Sequence, residues 1–125
     1  MKIISIEDIK IIHKNLIDKT GGIYGVRDEK LLESCLFTPF QTFDNIDIYP
    51  TIKEKIAKIC YLLISNHCFL DGNKRVGILT MLVLFNINSI NIVCDNKDLI
   101  HIGLGLADNS LNYDYILNWI LKNTD

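Results

Sequence analysis

The feature that most constrains the fold is an apolar run from Val76 to Phe85, interrupted only by Gly77 and Thr80. A helix over these residues is apolar nearly all round, and such a helix has to be buried on most of its surface. The run is shorter than the roughly 20 apolar residues that span a bilayer. We therefore predict a central helix from about Asn73 to about Ile87, with other helices packed around it.

Helix start signals and apolar stripes predict five further helices. Four predicted starts carry a side chain that can cap a first turn, namely Ser5, Asp28, Thr51 and Asp95, and an apolar stripe from Tyr113 to Leu121 predicts the last helix. The helix after Asp28 should stop before Pro39, and the helix after Thr51 should run to about His67. Residues 40–50 are expected to form a loop, and 90–94 a short extended segment. The predicted fold class is all-α, a bundle of about six helices in a single domain, residues 1–125, because two halves would be too small to bury separate cores.

Charge and cysteine usage limit the partners and the compartment. The 13 Lys and Arg against 15 Asp and Glu give a net charge of −2, which offers no broad electrostatic surface for nucleic acid or for an anionic membrane. The four cysteines are widely spaced without a C-x-x-C pair, which favours free thiols in a reducing compartment. Acidic residues come too early in the chain for a secretory signal. We expect a soluble, cytoplasmic protein.

The segment from His67 to Arg75, with the sequence HCFLDGNKR, connects the third predicted helix to the central one. The first N–H groups of a helix lack intrahelical partners and lie at the positive end of its dipole. Gly72 to Arg75 should therefore bind an anion such as phosphate. Gly72 permits close backbone approach, Asn73 can add an amide donor, and Lys74 with Arg75 adds two cations.

Two further side chains of this segment carry candidate chemistry. Asp71 supplies a hard oxygen beside the anion site, where Mg²⁺ commonly bridges one or two carboxylates and substrate phosphates. An imidazole such as that of His67 can accept a proton near neutral pH. Phe69 is expected to point inward and to hold the loop. The pattern therefore indicates phosphoryl transfer, which depends mainly on positioning and charge stabilisation.

Plainer interpretations exist for each residue taken alone. A histidine at a helix end is usually a cap or a surface residue, and Asp-Gly-Asn is common in turns. Two cations in a first helical turn oppose the helix dipole, so Lys74 and Arg75 favour an anionic ligand. Elsewhere, His13 and His101 are isolated, and Lys53, Lys55 and Lys58 are interpreted as a solvated helix face.

The pattern H-x-F-x-D-G-N-K-R resembles the signature of the Fic/Doc family, and Lys74 is similar to its death-on-curing (Doc) toxin branch. The segments 21–28, 31–34 and 82–85 also resemble that family. The resemblance implies a compact six-helix Fic fold and Mg²⁺-dependent transfer from a nucleoside triphosphate, such as ATP, to a protein hydroxyl. It implies His67 as general base, Asp71 as metal ligand, and Arg75 as a catalytic residue of the phosphate cradle. The other members of that cradle are implied to be Gly72, Asn73 and Lys74.

Two positions bear on which group is transferred. Fic proteins that transfer AMP typically have Gly in place of Lys74 and a second Arg in place of Ile78. Doc-like proteins share both changes, and the resemblance implies that they transfer the γ-phosphate. Gly72 departs from the best-known Doc protein, which has Ala there. The first hypothesis is thus a Doc-like toxin kinase that acts on a translation factor, with elongation factor Tu as the expected target. The alternatives are an AMP-transferring Fic enzyme and a non-catalytic Fic-fold binding module.

The resemblance also bears on partners. None of the glutamates Glu7, Glu29, Glu33 and Glu54 is followed by Gly or Asn, as a self-inhibitory Fic helix requires. The resemblance therefore implies a separate, Phd-like antitoxin whose C-terminal segment folds into a groove. The segment from Gly21 to Asp28 has two interpretations. It is either a flap that docks the target, or a plain connection between helices. The flap residues would be Gly21, Gly22, Tyr24, Gly25 and Arg27.

Overall fold

The computed structural model describes residues 1–125 and contains six α-helices, as the sequence predicted. The helices are α1 Ile6–Thr20, α2 Glu29–Phe37, α3 Ile52–Ser65, α4 Asn73–Ile87, α5 Asn96–Ala107 and α6 Tyr113–Asn123. A 3-10 turn, Thr38–Phe40, and a small antiparallel hairpin of β1 Thr42–Phe43 and β2 Ile46–Asp47 separate α2 from α3. None of the six helices has both the length and the apolar character needed to cross a bilayer.

The predicted capping residues begin their helices. Ser5 forms a reciprocal capping box with Asp8, and the Asp28 side chain accepts the Leu31 N–H. The Thr51 hydroxyl oxygen accepts the Glu54 N–H. The Glu54 carboxylate accepts from the Thr51 hydroxyl at 2.9 Å, not from the Thr51 N–H as in a reciprocal capping box. The caps work from local sequence alone, because each involves residues three apart.

Helix α4 is the central helix, and it packs against α1, α3 and α5. Gly77 lets α3 and α4 approach closely, because a Cβ there would overlap the side chain of Ile64. One side of α4 is not covered. Ile78, Leu79 and Leu82 are only half-buried, and they line an open groove between α1, α4 and α5.

The end of α3 and the hairpin differ from the sequence prediction. Helix α3 ends at Ser65, two residues earlier than predicted, because His67 adopts a left-handed backbone with φ 49°. The hairpin turns at Asp44 and Asn45, whose φ angles are 52° and 63°. Two left-handed residues are what a two-residue hairpin turn requires. The extended segment before α5 is reduced to one isolated bridge between Ile92 and Thr124.

The interpretation of the α3 lysines as a solvated face is wrong for two of them. Lys55 is buried with 8% exposure, and its ammonium donates to the carbonyl oxygen of Tyr49. The Lys58 ammonium lies 5.1 to 5.3 Å from the ring centroids of Tyr49, Tyr61 and Tyr113. Aromatic rings attract a cation at this range. Tyr49 and Tyr113 come from other parts of the chain, so the helix pattern could reveal only Tyr61, which lies three residues after Lys58 in α3.

Candidate active site

The loop between α3 and α4 lies against the segment that joins α1 to α2. Val26 and Phe69 form an antiparallel bridge, and the Leu70 N–H donates to the Gly25 carbonyl at 3.0 Å. The carbonyl of Cys68 accepts the N–H groups of Arg27 and Asp28. The predicted flap therefore borders the predicted catalytic loop, although the two are about 40 residues apart in sequence.

The backbone of His67 is in the left-handed conformation, which is strained for a residue with a Cβ. Its side chain is exposed and makes no hydrogen bond, whereas its carbonyl accepts the Arg27 Nε–H at 2.6 Å. A second guanidinium nitrogen of Arg27 donates to the Asn66 carbonyl at 2.8 Å. A cation at the C-terminal end of a helix also complements the helix dipole. Arg27 thus holds the end of α3 and the His67 backbone while its side chain stays exposed, and its contact with a target remains a prediction.

The start of α4 exposes three amide groups. Gly72 precedes the helix with φ 76° and ψ 19°, and no side chain caps this end. The first backbone hydrogen bond into the helix runs from the Val76 N–H to the Gly72 carbonyl at 2.9 Å. The N–H groups of Asn73, Lys74 and Arg75 donate to no group of the chain. Unpaired amides at the positive end of a helix attract an anion.

Asp71 and Arg75 lie together beside these amides. The Asp71 Oδ1 accepts the Gly72 N–H at 2.8 Å and lies 3.8 Å from Arg75 Nη2, while Oδ2 accepts the Ile23 N–H at 3.2 Å. Arg75 also donates to the Gly21 carbonyl at 3.0 Å and to the Thr20 hydroxyl. The carboxylate and the guanidinium therefore tie the flap segment to the mouth of α4.

Asn73 and Lys74 occupy different positions from those expected. The Asn73 side chain makes two hydrogen bonds with the backbone of Phe69, at 2.9 and 3.0 Å. That amide fixes the loop, and the Asn73 backbone N–H is left unpaired. Lys74 is exposed, forms no salt bridge and lies over Gly103 of α5 at the lip of the groove.

His13 of α1 was missed as a site residue. It is buried with 3% exposure, its Nε2 lies 2.7 Å from the Asp71 carbonyl oxygen, and its ring stacks on Phe69 at a centroid distance of 4.0 Å. A signal was present in the sequence, because His13 lies four residues from both Ile9 and Ile17. These are buried positions of α1. A histidine on an apolar stripe indicates a buried polar partner.

Two cysteines meet behind the loop. The Sγ atoms of Cys35 and Cys68 are 3.5 Å apart, and all four cysteines are free thiols, as predicted. The hydrogen bond with Cys35 and the charge of Arg27 lower the pKa of Cys68. Burial raises the pKa of Cys60 to about 12. The Cys68 thiol thus lies next to His67 in the chain, but it faces the core.

The chain alone does not form a metal cage. No group of three or more His, Cys, Asp or Glu side chains converges to hold an ion. Asp71 is a single carboxylate beside an anion site, which is the protein contribution that Mg²⁺ needs when substrate phosphates supply other oxygens. The residues present therefore fit Mg²⁺ bound together with a nucleotide. An imidazole, a carboxylate, a guanidinium and free amides are together suited to phosphoryl transfer.

Comparison with known proteins agrees with this geometry. A model of the Fic/DOC family matches residues 3–85, which include α1 to α3, the loop and most of α4. A protein named Toxin Doc from Mycolicibacterium smegmatis is 33% identical over 75 residues, covering 60% of this chain and 58% of that toxin. The matched part is thus less than two thirds of the relative's length. Because the family match covers well over half of the chain and contains the whole loop, the chain belongs to the Fic/DOC family.

Proposed function

We propose that the chain is a Doc-type toxin kinase. In this proposal it transfers the γ-phosphate of ATP, or of another nucleoside triphosphate, to a hydroxyl of a cytoplasmic translation factor, with elongation factor Tu as the expected target, and arrests translation. The observation that carries the proposal is the pairing of Asp71 with Arg75 beside the three free amides of α4, on the same loop that bears the exposed His67. The relative named Toxin Doc supports the assignment as a toxin.

In the proposed reaction His67 is the general base. Its side chain is exposed and forms no hydrogen bond, so it is free to take the proton of a target hydroxyl. The hydroxyl oxygen then forms a bond to the γ-phosphorus, and the bond from that phosphorus to the bridging oxygen breaks. The nucleoside diphosphate leaves with that electron pair. Arg27 keeps the His67 backbone in place through its hydrogen bond to the carbonyl oxygen.

In the proposal, groups at the N-terminal end of α4 stabilise the negative charge of the phosphates. The amides of Asn73, Lys74 and Arg75 and the Arg75 guanidinium would bind phosphate oxygens. Asp71 would hold Mg²⁺, which when bound neutralises charge on the phosphates. Gly22 makes room for the carboxylate, because a Cβ there would lie 2.7 Å from Asp71 Oδ2. These groups position the nucleotide and need little movement during the reaction.

The γ-phosphate is favoured over AMP because the cradle has a single arginine. Ile78 stands where AMP-transferring relatives carry a second Arg, and it lines the apolar groove. A second arginine to clamp the far end of a triphosphate is therefore missing. AMP transfer and a purely non-catalytic role are the alternatives to be distinguished by experiment.

Intact-mass analysis tests the proposal. The chain would be incubated with Mg-ATP and elongation factor Tu, and in parallel with a cell extract. A kinase adds one phosphoryl group to the target, whereas an adenylyltransferase adds one AMP group. His67→Ala should lower the modification by about a hundredfold to ten-thousandfold and remove the toxicity. Toxicity that survives His67→Ala would favour the binding module and would contradict the proposal.

We further propose that the groove between α1, α4 and α5 receives a helix of a Phd-like antitoxin. The groove has a volume of about 430 Å³ and an apolar floor. Helix α5 contributes 12 residues, which is long enough to support about three turns of a docked helix. Lys74 lies unpaired at one end, so the occupant should carry an acidic residue there. The groove is lined by Leu16, Thr20, Lys74, Arg75, Ile78, Leu79, Leu82, Leu99, Ile100, Gly103 and Leu104.

A matched pair of substitutions tests the groove. Leu104 and Leu121 are each 51% exposed, but only Leu104 lines the groove. Leu104→Arg should reduce neutralisation by a Phd-like antitoxin, whereas Leu121→Arg should not. The measurement is target modification with and without that protein, expressed as a ratio for each variant. Equal neutralisation of both variants would place the antitoxin elsewhere.

A further inference from the structure

The buried imidazole of His13 lies under the peptide that joins Asp71 to Gly72. A carbonyl oxygen can only accept a hydrogen bond, so the 2.7 Å contact between Nε2 and the Asp71 oxygen requires a proton on Nε2. The ring also stacks on Phe69 with an interplanar angle of 13°. A Cβ at Gly72 would lie 3.5 Å from the same Nε2. His13 therefore contacts the loop in two ways, through a hydrogen bond and through a stacked ring.

The orientation of this peptide decides where the Gly72 N–H points, and that N–H holds the Asp71 carboxylate. In a trans peptide the C=O and N–H groups point in opposite directions. Because the Asp71 carbonyl points toward His13, the Gly72 N–H points away from the core, where it donates to the Asp71 carboxylate at 2.8 Å. A flip of the peptide would turn the carbonyl oxygen toward the phosphates and remove that donor.

Gly72 itself does little to prevent such a flip. Its φ of 76° belongs to a region that glycine enters without steric penalty, and glycine also reaches the alternative conformations readily. No other group of the chain donates to the Asp71 carbonyl oxygen. The carbonyl end of the peptide is thus held by one hydrogen bond from α1, an element outside the loop, whereas the N–H end is held only by the Asp71 side chain within the loop.

We propose that His13 is a positioning residue for the phosphate site, which it serves by holding the Asp71–Gly72 peptide in the orientation that lets the Gly72 N–H hold the Asp71 carboxylate beside the free amides of α4. The expected effect of His13 on group transfer rests on the proposed function. The expected effect of His13 on the orientation of the peptide does not depend on that function.

Two substitutions separate the hydrogen bond from the packing. His13→Phe keeps a flat ring to stack on Phe69 and removes the donor. His13→Gln places an amide donor at a reach similar to that of Nε2 and removes the ring. His101→Phe is the matched control, because His101 is exposed on α5 and contacts Tyr115 edge to face. Thermal unfolding of each variant reports whether it folds.

The primary measurement is the Gly72 amide signal in ¹⁵N NMR, together with its hydrogen-exchange rate, in the protein without nucleotide. His13→Phe should shift this signal and speed its exchange by about tenfold, the change that corresponds to loss of one hydrogen bond. His13→Gln should restore most of the wild-type behaviour. In the wild type, ¹⁵N shifts of the imidazole should show the Nε2-protonated ring. If His13→Phe does not fold, two results decide whether the proposal stands. A Gly72 amide in His13→Gln that differs from the wild type, or a wild-type imidazole without a proton on Nε2, would overturn it.

Kinetics give the second measurement. His13→Phe should lower kcat with Mg-ATP by about tenfold and leave the KM for the protein target within about twofold, with kcat recovered in His13→Gln. A purely structural histidine would lower only the melting temperature. Wild-type kcat and an unmoved Gly72 amide in folded His13→Phe would overturn the proposal. If the wild type transfers no group at all, the proposed function fails, and the Gly72 amide alone decides the role of His13.

Discussion

Replacing His67 separates its chemistry from its backbone strain. The residue has φ 49°, a left-handed conformation in which the Cβ of an L-residue approaches the following carbonyl oxygen. Its side chain is exposed and makes no hydrogen bond, so truncation removes no hydrogen bond. His67→Ala and His67→Gly should both lose the general base and lower transfer by about a hundredfold to ten-thousandfold. Their stabilities should differ.

The size of the difference follows from the backbone. The left-handed conformation costs a residue with a Cβ about 1 to 2 kcal/mol, whereas glycine has no such penalty. Glycine in turn loses about 0.5 to 1 kcal/mol more conformational entropy on folding. His67→Gly should therefore exceed His67→Ala in the free energy of unfolding by about 1 kcal/mol. For a domain of this size that corresponds to about 3 to 5 °C in melting temperature.

Urea denaturation and thermal unfolding measure this difference without reference to any activity. Lys14 provides the control, because it is exposed in the middle of α1 and forms no salt bridge. There Lys14→Gly should be less stable than Lys14→Ala by about 1 kcal/mol, the opposite sign. If His67→Gly proves less stable than His67→Ala, the strain at this position does not exist as described.

Three further results are expected. Gly22→Ala should weaken Mg-ATP binding in calorimetry, since its Cβ would lie 2.7 Å from the Asp71 carboxylate, and Gly21→Ala should weaken it less, since nothing lies within 4 Å of a Cβ there. Arg27→Ala should lower the free energy of unfolding by about 1 to 2 kcal/mol through loss of two charge-assisted hydrogen bonds, and Arg27→Lys should recover only part of it in urea titrations. Burial raises the pKa of Cys60 to about 12 from its ordinary value of 9.0. Above that ordinary value the unfolded chain releases a proton that the folded chain keeps, so stability should fall with rising pH. The fall due to this thiol should be at most about 1.4 kcal/mol per pH unit, and Cys60→Ala should show a smaller decline in urea titrations between about pH 8 and about pH 10.

The helices were predictable because their signals are local. Ser5, Asp28 and Thr51 each cap a helix through residues three positions away, and an apolar stripe needs only the period of the helix. The hairpin turn at Asp44 and Asn45 was missed because neither residue is glycine, although both tolerate left-handed backbone. The local signal there was too weak to identify a turn.

The end of α3 was placed two residues too late for a different reason. No signal near His67 in the sequence marks it as left-handed. Its carbonyl and that of Asn66 are held by Arg27, which is about 40 residues away in the chain. The lysines of α3 were misinterpreted for the same reason, because the tyrosines around Lys58 come from the segment before α3, from α3 itself and from α6.

By itself the sequence determined the loop, its glycine and the free amides at the start of α4, because a helix terminus is defined by the residues that form it. Only the tertiary structure decided which side chains remain free for a ligand. It bound the Asn73 side chain and Arg27 to backbone groups, brought His13 under the Asp71 carbonyl across 58 residues, and tied Arg75 to Gly21. Hydrogen bonds between distant segments depend on how the helices pack, and no local pattern contains that information.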